Sequence, residues 1–172
     1  MALISVPTAL DIYQASKLSP EHFETEETGS LIDEDIVTLI DAKILPDIIN
    51  TTNATVDEAA APLDFPFDAV ILRAAYPSMS ELAVTQWIAA QEGRFKSAMQ
   101  YEAIGELLLR VRSLDDPYVK RAAMYKGWAK DKMKEGLSAI AKILAVRQAQ
   151  TPELNATDST PHSGSARPQF TW

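Results

Sequence analysis

The sequence predicts a mainly α-helical bundle of three or four principal helices, with an extended N-terminal segment and an extended C-terminal arm. Isoleucines recur every four residues from Ile32 to Ile48, and two later stretches, 81–111 and 117–150, contain few helix breakers. The chain has 172 residues, of which 47% are hydrophobic, and this is enough for one sizeable core. We divide it into an N-terminal arm with an acidic loop, a helical domain and the C-terminal arm: residues 1–30, 31–150 and 151–172.

The N-terminal third is predicted to contain a short helix, an acidic loop and the first long helix. A helix is expected from Thr8 to Lys17, and the following "SPEHFETEETGS" has the composition of a loop. Ser30 is the expected N-cap of the long helix, because three carboxylates occupy the turn after it. We expect this helix to reach about Asn50 and to kink or lose its last turn at Pro46, which has no N–H to donate.

The middle of the chain is predicted as a loop followed by a short and a long helix. Polar residues and prolines between positions 50 and 68 indicate the loop, and "AVILRAAY" favours a helical turn. Ser78 or Ser80 then caps a helix from about Glu81 to Val111. Gly93 weakens that helix and allows a bend or a break.

The last helix is predicted to be unusually long. Asp116 before Pro117 is a strong helix start, and no breaker follows until Pro152. The helix should therefore have about 30 residues and a length of about 45 Å. A compact domain of this size does not need such a helix, so we expect something beyond the monomer to cover part of it.

Composition excludes several classes of function. The net charge of −8 and the pI near 4.7 argue against a non-specific nucleic-acid binder. The chain has no cysteine, which excludes disulfides, thiolate metal sites and cysteine nucleophiles. We see no secretory leader and no run of about 20 apolar residues, so we expect an intracellular soluble protein without a membrane contact.

The charge is concentrated in two regions of opposite sign. Residues 1–69 contain 14 acidic and two basic side chains, whereas residues 113–150 contain four acidic and eight basic ones. The two regions can attract each other within one molecule or between neighbours in a head-to-tail assembly.

Catalytic chemistry is not indicated by any motif. The sequence has no phosphate-binding glycine loop and only two histidines, His22 and His162. Glu92, Glu102 and Glu106 have no Glu-x-x-His pair beside them, so we interpret them as surface or salt-bridged residues. We predict no catalytic, cofactor-binding or metal-binding residue and no enzyme. The helical spacing of the large apolar side chains predicts core positions for Trp87, Phe95, Trp128 and the methionines.

Two features are candidates for partner contacts. The first is a basic stripe on the last helix, Lys126, Lys130 and Lys134, with Lys120 and Arg121 just before it. Such a stripe is either solvated or paired with the acidic first half, or it contacts a neighbouring subunit or DNA.

The second candidate is the tail, which ends in two large aromatic side chains. Phe170 and Trp172 are suited to anchoring a flexible segment on a partner, and Arg167 could pair with a partner carboxylate. The alternative is a frayed terminus in which the aromatic residues have no role.

The order of these elements resembles a family of virion structural proteins. An acidic "LIDEDIVTLIDAKI" helix, a central "ELAVTQWIAAQEGRF" helix, a basic "VKRAAMYKGWAKDKM" helix and a loose C-terminal arm are similar to the head–tail connector, or adaptor, proteins of the tailed-bacteriophage neck. The resemblance implies a homo-oligomeric ring, usually a dodecamer, made in the host cytoplasm and located at the head–tail junction of the virion. It also implies portal binding by the C-terminal arm, contact with a tail or neck protein, and an inner wall around a DNA channel with non-specific DNA contact.

Two alternatives remain open. One is a cytoplasmic helical protein-interaction module, which would stay monomeric until it met its partner. The other is a small helical enzyme or metal-binding bundle, which would retain metal during purification.

Overall fold

The computed structural model describes residues 5–23, 32–61, 69–111 and 116–156. Of these residues 85% are helical and none lies in a strand, which confirms the predicted mainly α-helical bundle. The α-helices are α1 Ala9–Ser16, α2 Asp33–Leu39, α3 Leu45–Ala60, α4 Ala69–Ala75, α5 Glu81–Leu108 and α6 Asp116–Ala156. A 3₁₀ turn, Pro20–His22, follows α1, and a π-helical turn, Ile40–Ile44, joins α2 to α3.

Helices α5 and α6 form an antiparallel hairpin that is the centre of the fold. Ser80 caps α5, as expected, by accepting the Ala83 N–H at 3.2 Å. The helix is continuous through Gly93, so the break that we allowed there does not occur. The hairpin packs tightly at two glycines: a Cβ on Gly105 would lie 2.8 Å from Lys126 Cγ, and one on Gly136 would lie 2.5 Å from the Phe95 ring.

Helix α1 packs into the core. The Thr8 hydroxyl accepts the Asp11 N–H at 3.1 Å, and Lys17 ends the helix with a left-handed φ of 55°. Ile12 and Tyr13 are buried between α5, α2 and the π turn. Residues 5–23, which we assigned to an N-terminal arm, are thus an integral part of the helical domain.

The segment from α2 to α3 is longer than the sequence suggested. It begins at Asp33, with Ile32 instead of Ser30 at the N-cap position, and Ser30 lies outside the described residues. Pro46 lies in the first turn of α3, where a missing N–H costs no hydrogen bond. The helix therefore passes the proline by way of the π turn.

The loop predicted between residues 50 and 68 is wrong over its first half, because α3 continues to Ala60. Thr52, Val56 and Ala60 are buried and extend the four-residue spacing of Ile44 and Ile48. Threonine is mostly exposed in proteins and the alanine side chain is small, so Thr52 and Ala60 make this periodicity weak in the sequence.

Two apolar clusters hold the elements together. The turn-end cluster lies near the α5–α6 connection and joins α1, α2, the π turn and both long helices; at its centre are Ile12, Ile40, Ile104 and Leu107. The open-end cluster joins α3 and α4 to the other half of the hairpin through Val56, Leu72, Phe95, Met99 and Ile140.

Helix α6 has 41 residues and continues past Pro152, where we expected it to stop. A proline removes one N–H and crowds one preceding carbonyl, so it weakens the helix locally without forbidding further turns. The C-terminal arm therefore loses residues 151–156 to the helix. Residues 157–172, which include the predicted contacts Arg167, Phe170 and Trp172, lie outside the described residues.

Candidate functional site

A long groove runs between the π turn and α3 on one side and α6 on the other, with α5 between them. Its volume is about 930 Å³. It extends along α5 and the residues just after it from position 98 to 110, and along α6 from 129 to 141; each range has thirteen residues, which corresponds to about 18 Å or three helical turns. Six apolar residues of its lining are buried or half-buried: Ile44, Ile48, Ala98, Ala129, Met133 and Leu137. A seventh, Ala141, is exposed.

Exposed charged residues surround this apolar lining. Lys43 and Asp47 belong to the π turn and α3, Arg110 follows α5, and Lys130 and Lys134 lie on α6. Two further carboxylates, Glu102 and Glu106, are half-buried on the α5 side. The α6 wall is therefore the basic part of the groove.

The predicted basic stripe separates into two parts in the structure. Lys126 pairs within its own chain, with Nζ 2.5 Å from Glu106 Oε1 and 3.7 Å from Glu102 Oε1. The hydrogen bond with Glu106 raises the pKa of Lys126, although burial acts in the opposite direction. The pairing is intramolecular, but its carboxylates belong to α5 and not to the acidic first half of the chain that we expected as the partner. It also bears out the salt-bridged role expected for Glu102 and Glu106.

The other two lysines of the stripe have no ion pair within the described part of the chain. Lys130 and Lys134 are exposed, and no carboxylate among the described residues forms an ion pair with either. The reason is geometric: residues four apart on an α-helix are rotated by about 40°, so the stripe turns away from α5 as it proceeds from Lys126.

The two basic residues at the start of α6 have partners in their own chain. Lys120 pairs with Asp116 at 2.7 Å, one turn earlier. Arg121 donates a hydrogen bond from Nη2 to the Ser16 carbonyl at 3.1 Å, and so ties α6 to the end of α1. Neither residue lines the groove.

An aromatic cluster lies on the hairpin outside the groove. The rings of Tyr101, Tyr125 and Trp128 contact one another with centroid distances of 5.2 to 6.0 Å. Trp128 is 44% exposed and Met124 is 43% exposed, so the core positions predicted for them are wrong. Helical spacing indicated the apolar side chains correctly, but it could not show that these two lie on a face that no other helix of the described chain covers.

A second surface, formed by α1 and the start of α2, combines exposed apolar side chains with carboxylates. We call Leu10, Ile32, Asp33 and Glu34 the acidic knob because its two apolar side chains are exposed, Leu10 to 51% and Ile32 to 56%; Leu10, Asp33 and Glu34 also border a small hollow on this surface. The Tyr13 hydroxyl donates to Asp33 Oδ1 at 2.5 Å and fixes α1 to α2 beneath the knob. Burial, followed by the hydrogen bond and charge of Asp33, raises the pKa of Tyr13 to about 12.

Among the described residues, no group of three or more histidine, aspartate or glutamate side chains could hold a metal ion. None of the helices in the described ranges has the length and apolar character that crossing a membrane requires. Comparison of the chain with protein-family models, curated proteins and solved structures finds no match. The functional conclusion therefore depends on the geometry above and on the sequence.

Proposed function

We propose that this protein is a non-catalytic, ring-forming connector subunit that joins a bacteriophage portal to the tail or neck. The observation that carries the proposal is the length of α6, which exceeds α5 by 13 residues, or about 20 Å. Apolar side chains remain exposed along it, among them Val119, Met124 and Trp128. A helix of this kind has apolar surface that no other helix of the described residues covers, and such surface is typical of a contact with another chain.

The distribution of charge supports assembly from identical subunits. The acidic residues of α2 and the unpaired lysines of α6 lie on different surfaces of one molecule. Contacts between unlike surfaces are head-to-tail, and such contacts close into rings when the rotation between neighbours allows it. Charge pairs of this type determine the choice and register of partners more than the affinity.

The tail completes the proposal as the portal-binding arm. Residues 157–172 follow directly after α6 and include Arg167, Phe170 and Trp172. Sixteen residues of extended chain reach about 53 Å, far enough to contact a neighbouring ring. Two buried aromatic side chains would supply most of the binding energy, and Arg167 would pair with a portal carboxylate.

Deletion of residues 157–172 tests the proposal. We expect the truncated protein to keep its helical content and nearly its melting temperature, and to lose binding to the portal protein encoded in the same genome. Phe170→Ala with Trp172→Ala should cause most of that loss, whereas Thr171→Ala, the matched control between them, should cause none. Unchanged portal binding of the truncated chain would refute the proposed role of the tail.

The aromatic cluster favours a second candidate function, a helical protein-interaction module. Tyr, Trp and Met side chains on a rigid helix pair are typical of protein-binding surfaces. A module would bind a distinct partner through this cluster and would not associate with its own copies. Trp128→Ala would then abolish partner binding, whereas removal of the tail would have no effect.

A further inference from the structure

The groove between α3, α5 and α6 has an apolar lining that no further helix of the described residues covers. Met133 and Leu137 are half-buried on its α6 wall, and Ala98 forms part of the lining on α5. A further helical element placed in the groove would cover these side chains and remove their apolar surface from water. The three-turn length of the groove is sufficient for a short helix or the end of one.

The charges of the groove limit what can occupy it. Lys43, Arg110, Lys130 and Lys134, together with Lys126 that pairs with Glu102 and Glu106, give five cationic groups against the three carboxylates Asp47, Glu102 and Glu106, so the groove keeps a positive excess of two charges. An occupant should therefore have apolar side chains to place against Met133 and Leu137, and carboxylates to place beside Lys130 and Lys134.

The acidic knob of the same protein has both properties. Leu10 and Ile32 are among the most exposed large apolar side chains of the described residues, and Asp33 and Glu34 lie beside them. The knob and the groove have no residue in common, so one molecule can present both surfaces at once.

We propose that the acidic knob of one copy docks in the groove of the next copy. Leu10 and Ile32 contact Met133 and Leu137, and Glu34 pairs with Lys130 or Lys134. This inference depends on the self-association in the proposed function and specifies the two surfaces that meet. The contact is head-to-tail, so each subunit uses its knob on one neighbour and its groove on the other.

Cross-linking tests the contact even when association is weak, because the chain has no cysteine of its own. The experiment mixes Glu34→Cys protein with Lys134→Cys protein at high concentration and adds a short bismaleimide reagent. The matched control replaces Lys134→Cys by Lys142→Cys, which is exposed on the same helix but outside the groove. We expect a covalent heterodimer with Lys134→Cys at several times the yield of the control.

Charge reversal provides an independent readout. Glu34→Lys and Lys134→Glu should each weaken self-association about tenfold, as measured by sedimentation, because a reversed pair repels. The protein that has both substitutions should recover most of the wild-type association. Recovery in the double variant excludes a general loss of folding as the cause of the single effects.

Each outcome decides the inference. Equal cross-linking at positions 134 and 142, cross-linking of Lys134→Cys protein only to itself, or no self-association at high concentration overturns it. The proposed function has a different test. If the protein binds the portal but does not form the knob–groove cross-link, the connector function stands and the docking inference is wrong. If the protein forms the cross-link but does not bind the portal, the docking inference stands and the connector function is wrong.

Discussion

The α5–α6 hairpin makes two close contacts of different chemistry. Near the turn, Gly105 of α5 admits the side-chain stem of Lys126, whose ammonium group then reaches Glu106. Toward the open end, Gly136 of α6 admits the ring of Phe95, which is fully buried. The same device, a glycine that lets a large side chain approach, thus supports an ion pair at one place and apolar packing at the other. Because a solvent-accessible, half-buried ion pair contributes less than a fully buried phenylalanine side chain, we expect the open-end contact to dominate stability.

Phe95→Ala should have the largest effect. The substitution leaves a cavity beside Gly136 in the open-end cluster and should lower the free energy of unfolding by about 3 to 5 kcal/mol. Denaturant titration followed by circular dichroism measures this. If Phe95→Ala lowers the free energy of unfolding less than Lys126→Met does, the ion-pair contact near the turn dominates stability instead.

Gly136→Ala should have the next largest effect, since the added methyl group would collide with the Phe95 ring. Overpacking of this kind costs about 1 to 3 kcal/mol, even though alanine favours a helix. Gly127→Ala is the control, because a Cβ at Gly127 meets no atom within 4 Å. In the same titration the free energy of unfolding of the Gly127→Ala variant should rise by up to about 1 kcal/mol. Equal effects of the two substitutions would show that the close approach at Gly136 has no energetic consequence.

Tyr13→Phe examines a second polar contact at the turn end. Loss of the hydrogen bond to Asp33 should cost roughly 0.5 to 1.5 kcal/mol at neutral pH. The raised pKa of Tyr13 means that the folded chain keeps a proton that the unfolded chain loses above its ordinary pKa of about 10. This contribution is therefore complete below pH 10 and is lost as the pH rises through about 12.

Thermal unfolding between pH 8 and 12 checks this prediction. The wild-type protein should lose stability over the alkaline part of the range, and the Tyr13→Phe variant should lose less. Parallel curves for the two proteins would mean that the Tyr13 hydroxyl does not couple folding to pH.

Lys126→Met should have the smallest effect, about 1 kcal/mol or less, because methionine keeps the stem against Gly105 and removes only the charge. The loss should shrink as salt is added, since salt screens the pair with Glu106. Lys130→Met is the matched control, because Lys130 has no ion pair among the described residues. A salt-independent loss for Lys126→Met would mean that packing, and not charge, holds this contact.

Local sequence signals predicted the parts of the fold that depend on one segment. Thr8, Ser80 and the Asp116–Pro117 pair each mark a helix start at or beside the residue where the structure begins it. The end of α3 was missed because two of its three buried positions are Thr52 and Ala60, so that Val56 alone continues the strong apolar spacing.

Features that depend on several segments could not be read from local patterns. Lys126 and Glu106 are 20 residues apart and meet only because the hairpin folds back on itself. The groove requires the relative placement of three helices; the sequence indicated Lys130 and Lys134 of its lining as part of a basic stripe, but not the apolar surface beside them. Met124 and Trp128 have the helical spacing of core residues. They differ from core residues only because no other helix of the described chain covers their side of α6.

The two glycines also determine the alignment of the long helices along their axes. A slip of α6 by about one turn would place Met133 or Ile140 where Gly136 now leaves space for the Phe95 ring. The same slip would move the Lys126 stem away from Gly105 and place it against a bulkier residue of α5. The two glycine contacts lie about ten residues apart along each helix. Together they permit one axial alignment of α5 and α6 and make the neighbouring alignments sterically unfavourable. A hairpin of long alanine-rich helices, which could otherwise slide, thereby acquires a single register.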